Sequence, residues 1–263
     1  MNRSEIIRLT EEIGFLPESK FGQNFLCDEE CIGRIIELCN IKSGDKILEI
    51  GPGLGSLTRE LVSDDTELTC VEIDKRLAEY ISNEIGCRVI ASDYTKLTPT
   101  EYNADSYDVA VSNIPYYVMT PIMKKMLSEL KNARKLVLMV EKEALQRIIC
   151  RPCTKQYGPL SILCELWGEI RTVFDLPGKY YYPVPKTQST VFTITRGEHA
   201  GKIDEGFVSF LEKCFAQRRK KLTNNVPINK ELLVELGYNE NTRAEEITAI
   251  DLLKLYSDII LSV

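Results

Sequence analysis

The chain has 263 residues, of which 44% are hydrophobic and 27% charged, with a formal net charge of −6. That composition supports the core of one large domain or two smaller ones and excludes a disordered chain. The longest apolar runs, such as LVLMV at 136–140, fall far short of the ~20 residues that cross a bilayer, so a membrane-spanning protein is excluded too.

The first residues, MNRSEIIRLTEEIGF, lack an apolar block with a small-residue cleavage site, so no signal peptide is expected. Ile6, Ile7, Leu9 and Ile13 read instead as one side of an amphipathic helix. From 46 to 140 strands and helices alternate. KILEI (46–50) ends in a glycine cluster, and LTRELV begins a helix after it. ELTCVEI (67–73) is a second strand, followed by Asp74 as N-cap of a helix with Leu77, Ala78, Ile81 and Ile85 inward. RVIA (88–91), DVAVS (108–112) and KLVLMV (135–140) are further strands. Thr120-Pro121 reads as N-cap and first turn of a helix with Ile122, Met123, Met126, Leu127 and Leu130 on one face.

Such alternation predicts a parallel sheet covered on both faces, with right-handed crossovers. After about 165, GEIRTVFDL (168–176) and STVFTIT (189–195) suit strands added at the far edge, separated by the proline-rich YYYPVPK (180–186). From Ile203 only helical periodicity remains, and RGEHAG (196–201) reads as a linker. The expectation is an α/β, Rossmann-like domain over 1–198 and a small all-helical domain over 199–263.

The glycine cluster EIGPGLG (49–55) joins a strand to a helix, where glycines let the backbone bend and approach a ligand closely. Glu72 ends the next strand at the spacing from which an acid accepts hydrogen bonds from both hydroxyls of a ribose. The glycines Gly51, Gly53 and Gly55 follow GxGxG rather than the GxGxxG of pyrophosphate binders, and no lysine follows the loop. A nucleoside cofactor without a pyrophosphate fits this pattern, S-adenosylmethionine above all. Asp93, after the third strand, sits near the adenine in such a fold or caps a turn.

VSNIPYYV (111–118) falls at the carboxyl end of a central strand, where open α/β sheets place their ligands. Its residue types suit methylation of an aromatic amine. The Asn113 side-chain oxygen and the Ile114 carbonyl can accept the two amine hydrogens and stabilise the charge that develops. Pro115 stiffens the turn, and Tyr116 offers a stacking face for an extruded base. The bland alternative is a proline turn with tyrosines packed on the core.

Nine scattered cysteines in such a chain read as reduced thiols. Cys150 and Cys153 form a lone CxxC, and the single histidine, His199, has no partner nearby, so no metal is expected. Charge is unevenly distributed: −11 over residues 1–110, +9 over 111–221 and −4 over 222–263. The middle of the chain can face a polyanion. FVSFLEKCFAQRRKKL places Phe207, Phe210, Leu211, Cys214 and Phe215 on one helical face, with Arg218, Arg219, Lys220 and Lys221 after them. Lys124 and Arg147 join these cations as candidate contacts to a polyanion.

In their order and spacing, GQNFL (22–26), EIGPGLG, VEID (71–74), SNIPYYV, YGPLS (157–161), YYPVPKTQS (181–189) and AQRRKKLTNN (216–225) resemble the rRNA adenine N6,N6-dimethyltransferases. The resemblance implies S-adenosylmethionine as cofactor, held by Asn24, Leu26, Gly51, Glu72, Asp93 and Asn113. It implies Asn113, Ile114, Pro115 and Tyr116 as the catalytic motif, with Tyr181 as a second aromatic against the flipped base. AQRRKKLTNN resembles the branch that modifies two adjacent adenosines near the 3′ end of small-subunit rRNA. The chain departs from the family's usual residues at Tyr117, Pro159 and Thr187-Gln188. The expected partner is rRNA of the small subunit or its precursor, met by a cytoplasmic monomer without membrane contact. Two rivals stay open: an erythromycin-resistance-type methyltransferase of large-subunit rRNA, and a ribosome-assembly factor whose catalysis is secondary.

Overall fold

The computed structural model describes residues 1–17 and 22–261. In chain order, α1 (Arg3–Glu12) leads to β1 (Phe25–Leu26), α2 (Glu29–Cys39), β2 (Lys46–Ile50), α3 (Thr58–Leu61), β3 (Glu67–Glu72), α4 (Lys75–Glu84) and β4 (Arg88–Ala91). Then come α5 (Pro99–Tyr102), β5 (Val109–Asn113), α6 (Met119–Glu129), β6 (Lys135–Glu141), α7 (Lys142–Ile149) and α8 (Pro159–Trp167). The chain closes with β7 (Gly168–Leu176), β8 (Tyr181–Tyr182), β9 (Ser189–Arg196), α9 (Glu205–Phe215), α10 (Lys230–Glu235) and α11 (Ala249–Leu261).

The apolar runs of β2, β5 and β6 are buried on both faces, which is why they lack a polar alternation. They lie inside a seven-stranded sheet of order β4-β3-β2-β5-β6-β9-β7. The first five strands are parallel, and β9 and β7 continue antiparallel at the far edge. Because side chains alternate across a strand, Ile47, Val109 and Val137 pack on one face with Ile32, Ile35 and Leu61, while Leu48, Ala110 and Leu136 pack on the other with α6 and α8. Asp74 caps α4 as expected, accepting a hydrogen bond from the Arg76 N–H.

The last strand ends at Arg196 and only helices follow. These helices share a core with the sheet domain. Ile203, Phe207, Phe210, Leu211 and Leu252 belong to the same buried cluster as Leu163, Trp167 and Phe192.

Two local expectations are corrected. Thr120 is not an N-cap. A 3-10 turn at Tyr116–Val118 runs straight into α6, so the helix begins at Met119 and Thr120 lies inside its first turn. Its hydroxyl accepts a hydrogen bond from Arg147 at 3.3 Å instead. Tyr181 is buried rather than open as a stacking face for a base. It pairs with Leu26 in the short β1–β8 ribbon, is 1% exposed, and packs among Leu26, Cys31 and Leu176. An aromatic ring in a two-stranded ribbon buries wherever apolar partners lie under it, and here the α2 side of the sheet supplies them.

Among the described residues the buried Tyr181 hydroxyl makes no hydrogen bond of good geometry, with the Ser189 side chain beside it. An unsatisfied buried hydroxyl costs about 1–3 kcal/mol. Tyr181→Phe should therefore stabilise the protein by that order, read from the midpoint of chemical denaturation. A loss of stability would mean that the hydroxyl finds a partner in solution.

Candidate functional site

The parallel register brings the carboxyl ends of four strands level. Ile50 pairs with Val71 and with Ser112, Glu72 with Ala91, and Asn113 with Met139. The loops leaving these ends enclose a cavity of about 300 Å³, within the size range of small-molecule sites. Its walls come from residues 22–26, the glycine loop 49–53, Glu72 and Ile73, 92–95, and the turn after β5.

The glycine loop is shaped by backbone demands. Gly51, Gly53 and Gly55 all have positive φ, at 72°, 59° and 85°. A Cβ on Gly53 would stand 2.9 Å from the Phe25 ring, so the loop can touch the 22–26 segment only through glycine. The Ser56 hydroxyl then donates to the Leu26 carbonyl at 2.6 Å and locks the two walls together.

Glu72 is 5% exposed. Its Oε2 accepts from the Gly53 N–H at 3.1 Å and its Oε1 from the Asp74 N–H at 2.9 Å. Burial pushes its pKa up, against the pull of those two N–H groups. Each oxygen keeps a further lone pair, which is the acceptor set a ribose with two hydroxyls requires. Asp93 lines the cavity and also caps the Tyr94–Lys96 turn. Burial raises its pKa, but the Thr95 hydroxyl and N–H, both on Oδ1, outweigh burial and hold it below the usual carboxylate value. Glu72 and Asp93 beside a largely apolar cavity suit a nucleoside carrying a positive charge, as S-adenosylmethionine does.

Asn113 ends β5 and lines the same cavity. Its side-chain N–H donates to the Asn24 carbonyl at 3.4 Å. Asn24 is itself held by a bond from its amide to the Gly22 carbonyl at 3.1 Å. The Asn113 oxygen is thereby left as the free acceptor. Ile114 is buried, and its N–H donates to the Met139 carbonyl at 2.9 Å, which anchors the peptide carrying the next carbonyl. Pro115 lines the cavity, whereas Tyr116 projects outside it with 52% exposure.

The candidate cations divide. Arg147, Lys124, Lys155 and Arg218 line a second, basic cavity of about 460 Å³ beside the start of α6. Lys124 is ion-paired to Glu212 at 2.6 Å, which ties α6 to α9. Arg218 pairs with Glu245 and donates to the carbonyls of Thr154, at 2.7 Å, and Lys155. Both of these cations serve the fold first. Arg219, Lys220 and Lys221 are exposed.

Sequence reasoning assigned no role to Glu49, Gln23, Ser56, Tyr117 or Met139, which all line the cofactor cavity. Glu49 had a signal, since it is an acid inside the apolar run KILEI. It is 2% exposed, and burial pushes its pKa up to about 8. The others come together only through the loops and carried no such mark.

Comparison with known proteins agrees with this geometry. The family model described as ribosomal RNA adenine dimethylase matches residues 14–260. A ribosomal RNA small subunit methyltransferase A of Malacoplasma penetrans is 36% identical over 225 residues, covering 85% of this chain and 82% of the relative. The one of Magnetococcus marinus is 36% identical over 262 residues, covering 94% and 93%. A dimethyladenosine transferase from Plasmodium falciparum has the same fold, with a TM-score of 0.72 at 23% identity over 90% of this chain and 98% of that one. The 23S rRNA methyltransferase ErmE follows with a TM-score of 0.60 at 24% identity over 89% and 98%. The chain belongs to the ribosomal RNA adenine dimethylase family, and it is an S-adenosylmethionine-dependent rRNA adenine dimethyltransferase.

Proposed function

We propose that this enzyme transfers methyl groups, two to each acceptor, to the N6 atoms of two adjacent adenosines near the 3′ end of small-subunit rRNA. The observation that carries the chemistry is the coupling of Asn113 to Asn24. It commits the amide nitrogen to the protein, so that the oxygen is the atom of this cavity-lining amide left to accept from an amine. The choice of RNA is supported by relatives named small subunit methyltransferase A that cover over nine-tenths of this chain, 94% in one case.

Bound in the cavity, S-adenosylmethionine supplies a methyl group on a positively charged sulfur. Glu72 would accept from its ribose hydroxyls, Asp93 would lie on the adenine side, and Asn24, Leu26, Gly51 and Gly53 would form the rest of the wall that holds it. The Asn113 oxygen and the Ile114 carbonyl accept the two hydrogens of the acceptor amine. They turn its lone pair towards the methyl and stabilise the charge that builds on nitrogen. A neutral amide suits this because it accepts hydrogen bonds without being a base. Tyr116, outside the cavity and half exposed, is free to stack on the extruded adenine.

RNA phosphates are met by Arg147 and Lys155 in the basic cavity of the sheet domain, and residues 199–263 act as an RNA-binding domain through Arg219, Lys220 and Lys221. Lys124 and Arg218 shape that surface through their ion pairs. The site is complete within one chain, which supports a monomer, and an rRNA substrate supports a cytoplasmic location. Mass spectrometry of both rRNAs after incubation with the enzyme and S-adenosylmethionine tests the reading. Dimethyladenosine at two adjacent small-subunit positions is expected. Product in large-subunit rRNA alone would assign the enzyme to the resistance branch, and no product with cofactor bound would favour an assembly role.

Three substitutions test the assignments separately. Glu72→Ala should weaken S-adenosylmethionine binding by roughly 1.5–3 kcal/mol for each hydrogen bond removed, measured by calorimetric titration of the folded variant. Asn113→Ala should lower the methyl-transfer rate by roughly 10²-fold or more, with a smaller loss of cofactor affinity. Replacing Arg219, Lys220 and Lys221 together by Ala should flatten the salt dependence of RNA binding at unchanged cofactor affinity. The log–log slope should fall by about 0.7–0.9 for each phosphate that is no longer neutralised.

A further inference from the structure

Two adjacent tyrosines follow Pro115, and the fold uses them differently. Tyr116 and Tyr117 are almost equally exposed, at 52% and 54%, yet only Tyr117 is on the wall of the cofactor cavity. The 3-10 turn at Tyr116–Val118 explains the split, because successive side chains in such a turn point about a third of a revolution apart.

Tyr117 also meets the opposite wall. Its ring lies 3.3 Å, and Pro115 lies 3.0 Å, from where a Cβ on Gly22 would stand. Gly22 has a φ of +60° and begins the segment that carries Asn24. The turn after β5 and the 22–24 segment therefore close on each other through this ring. Burial, then the negative charges of Asp93 and Glu72, raise the Tyr117 hydroxyl above its ordinary pKa. Tyr117 shares the cavity wall with Glu72 and Asp93, the two carboxylates assigned to the ribose and adenine, and Tyr116 does not.

We propose that Tyr117 is a positioning residue for the cofactor: it bridges Gly22 and the 113–118 turn and covers the nucleoside half of the cavity. Tyr116 is thereby left as the aromatic surface for the acceptor base, and the buried Tyr181 is not needed as its partner. The inference rests on the assignment of Glu72 and Asp93 to the cofactor nucleoside. Its consequence is that S-adenosylmethionine and its demethylated product leave slowly, since both carry the covered half.

The test is calorimetric titration of Tyr117→Ala and Tyr117→Phe with S-adenosylmethionine and S-adenosylhomocysteine, alongside kcat and KM measured on small-subunit particles. Truncating a covering aromatic should weaken both ligands equally, by about tenfold, because the apolar cover it removes is common to them. The phenylalanine variant should bind as wild type, and the KM for the particles should not move. Tyr117 is half exposed, so its truncation spares the core, and thermal melting verifies that. Unchanged affinity for both ligands with a raised KM for the particles would overturn the proposal and give the ring to the RNA. No change in either would overturn it as well. Normal cofactor binding by Glu72→Ala would instead remove the site assignment beneath it, whatever Tyr117→Ala shows.

Discussion

Everything at this site depends on the register of the parallel strands. β4, β3, β2, β5 and β6 are hydrogen-bonded so that Ala91, Glu72, Ile50 and Asn113, the last residues of the first four, come to one edge of the sheet beside Met139 of β6. Side chains alternate along a strand, so a slip of one residue would turn each of them to the opposite face. Glu72 would leave the cavity, and Asn113 would part from Asn24. The buried faces prevent such a slip, because Ile47 and Leu48, and Val109 and Ala110, already fill cores on opposite sides.

The edge then gathers two opposite electrostatic tasks. A cationic cofactor requires negative charge close by, and Glu72 and Asp93 line the cavity beside the glycine loop, from which Pro52 lines it too. A polyanionic RNA requires positive charge, and Arg147, Lys155 and the exposed cations after α9 lie on the surface beyond α6, where we propose that it binds. The turn Asn113–Val118 lies between them. The acidic N-terminal stretch and the basic middle of the chain are the linear projection of this division.

Several cations carry the fold as well as the surface. The Lys124–Glu212 pair ties α6 to α9, and Arg218 bridges Glu245 and the carbonyls of the 154–155 loop. The helical end of the chain is thus held to the sheet domain by ion pairs at the rim and by one continuous apolar core beneath. An RNA that binds across both parts meets a surface whose geometry is already set.

The amino-acid sequence by itself determined the elements and the chemistry of the motifs. Strands buried on both faces leave unbroken apolar runs, glycines leave a mark wherever φ must be positive, and Glu72 and Asn113 each stand at a strand end. These are local or nearest-neighbour constraints, so they are written in consecutive residues. Only the tertiary structure decided which side chains share a space. Tyr181 lies under the β1–β8 ribbon because Leu26 pairs with it from 155 positions earlier in the chain, and Thr120 receives Arg147 because a 3-10 turn displaces the start of α6. Tyr117 joins the cofactor wall, and Tyr116 leaves it, through a turn geometry and a contact with Gly22 that no spacing along the chain specifies. Such contacts arise from packing between segments remote in sequence, and packing is a property of the folded molecule alone.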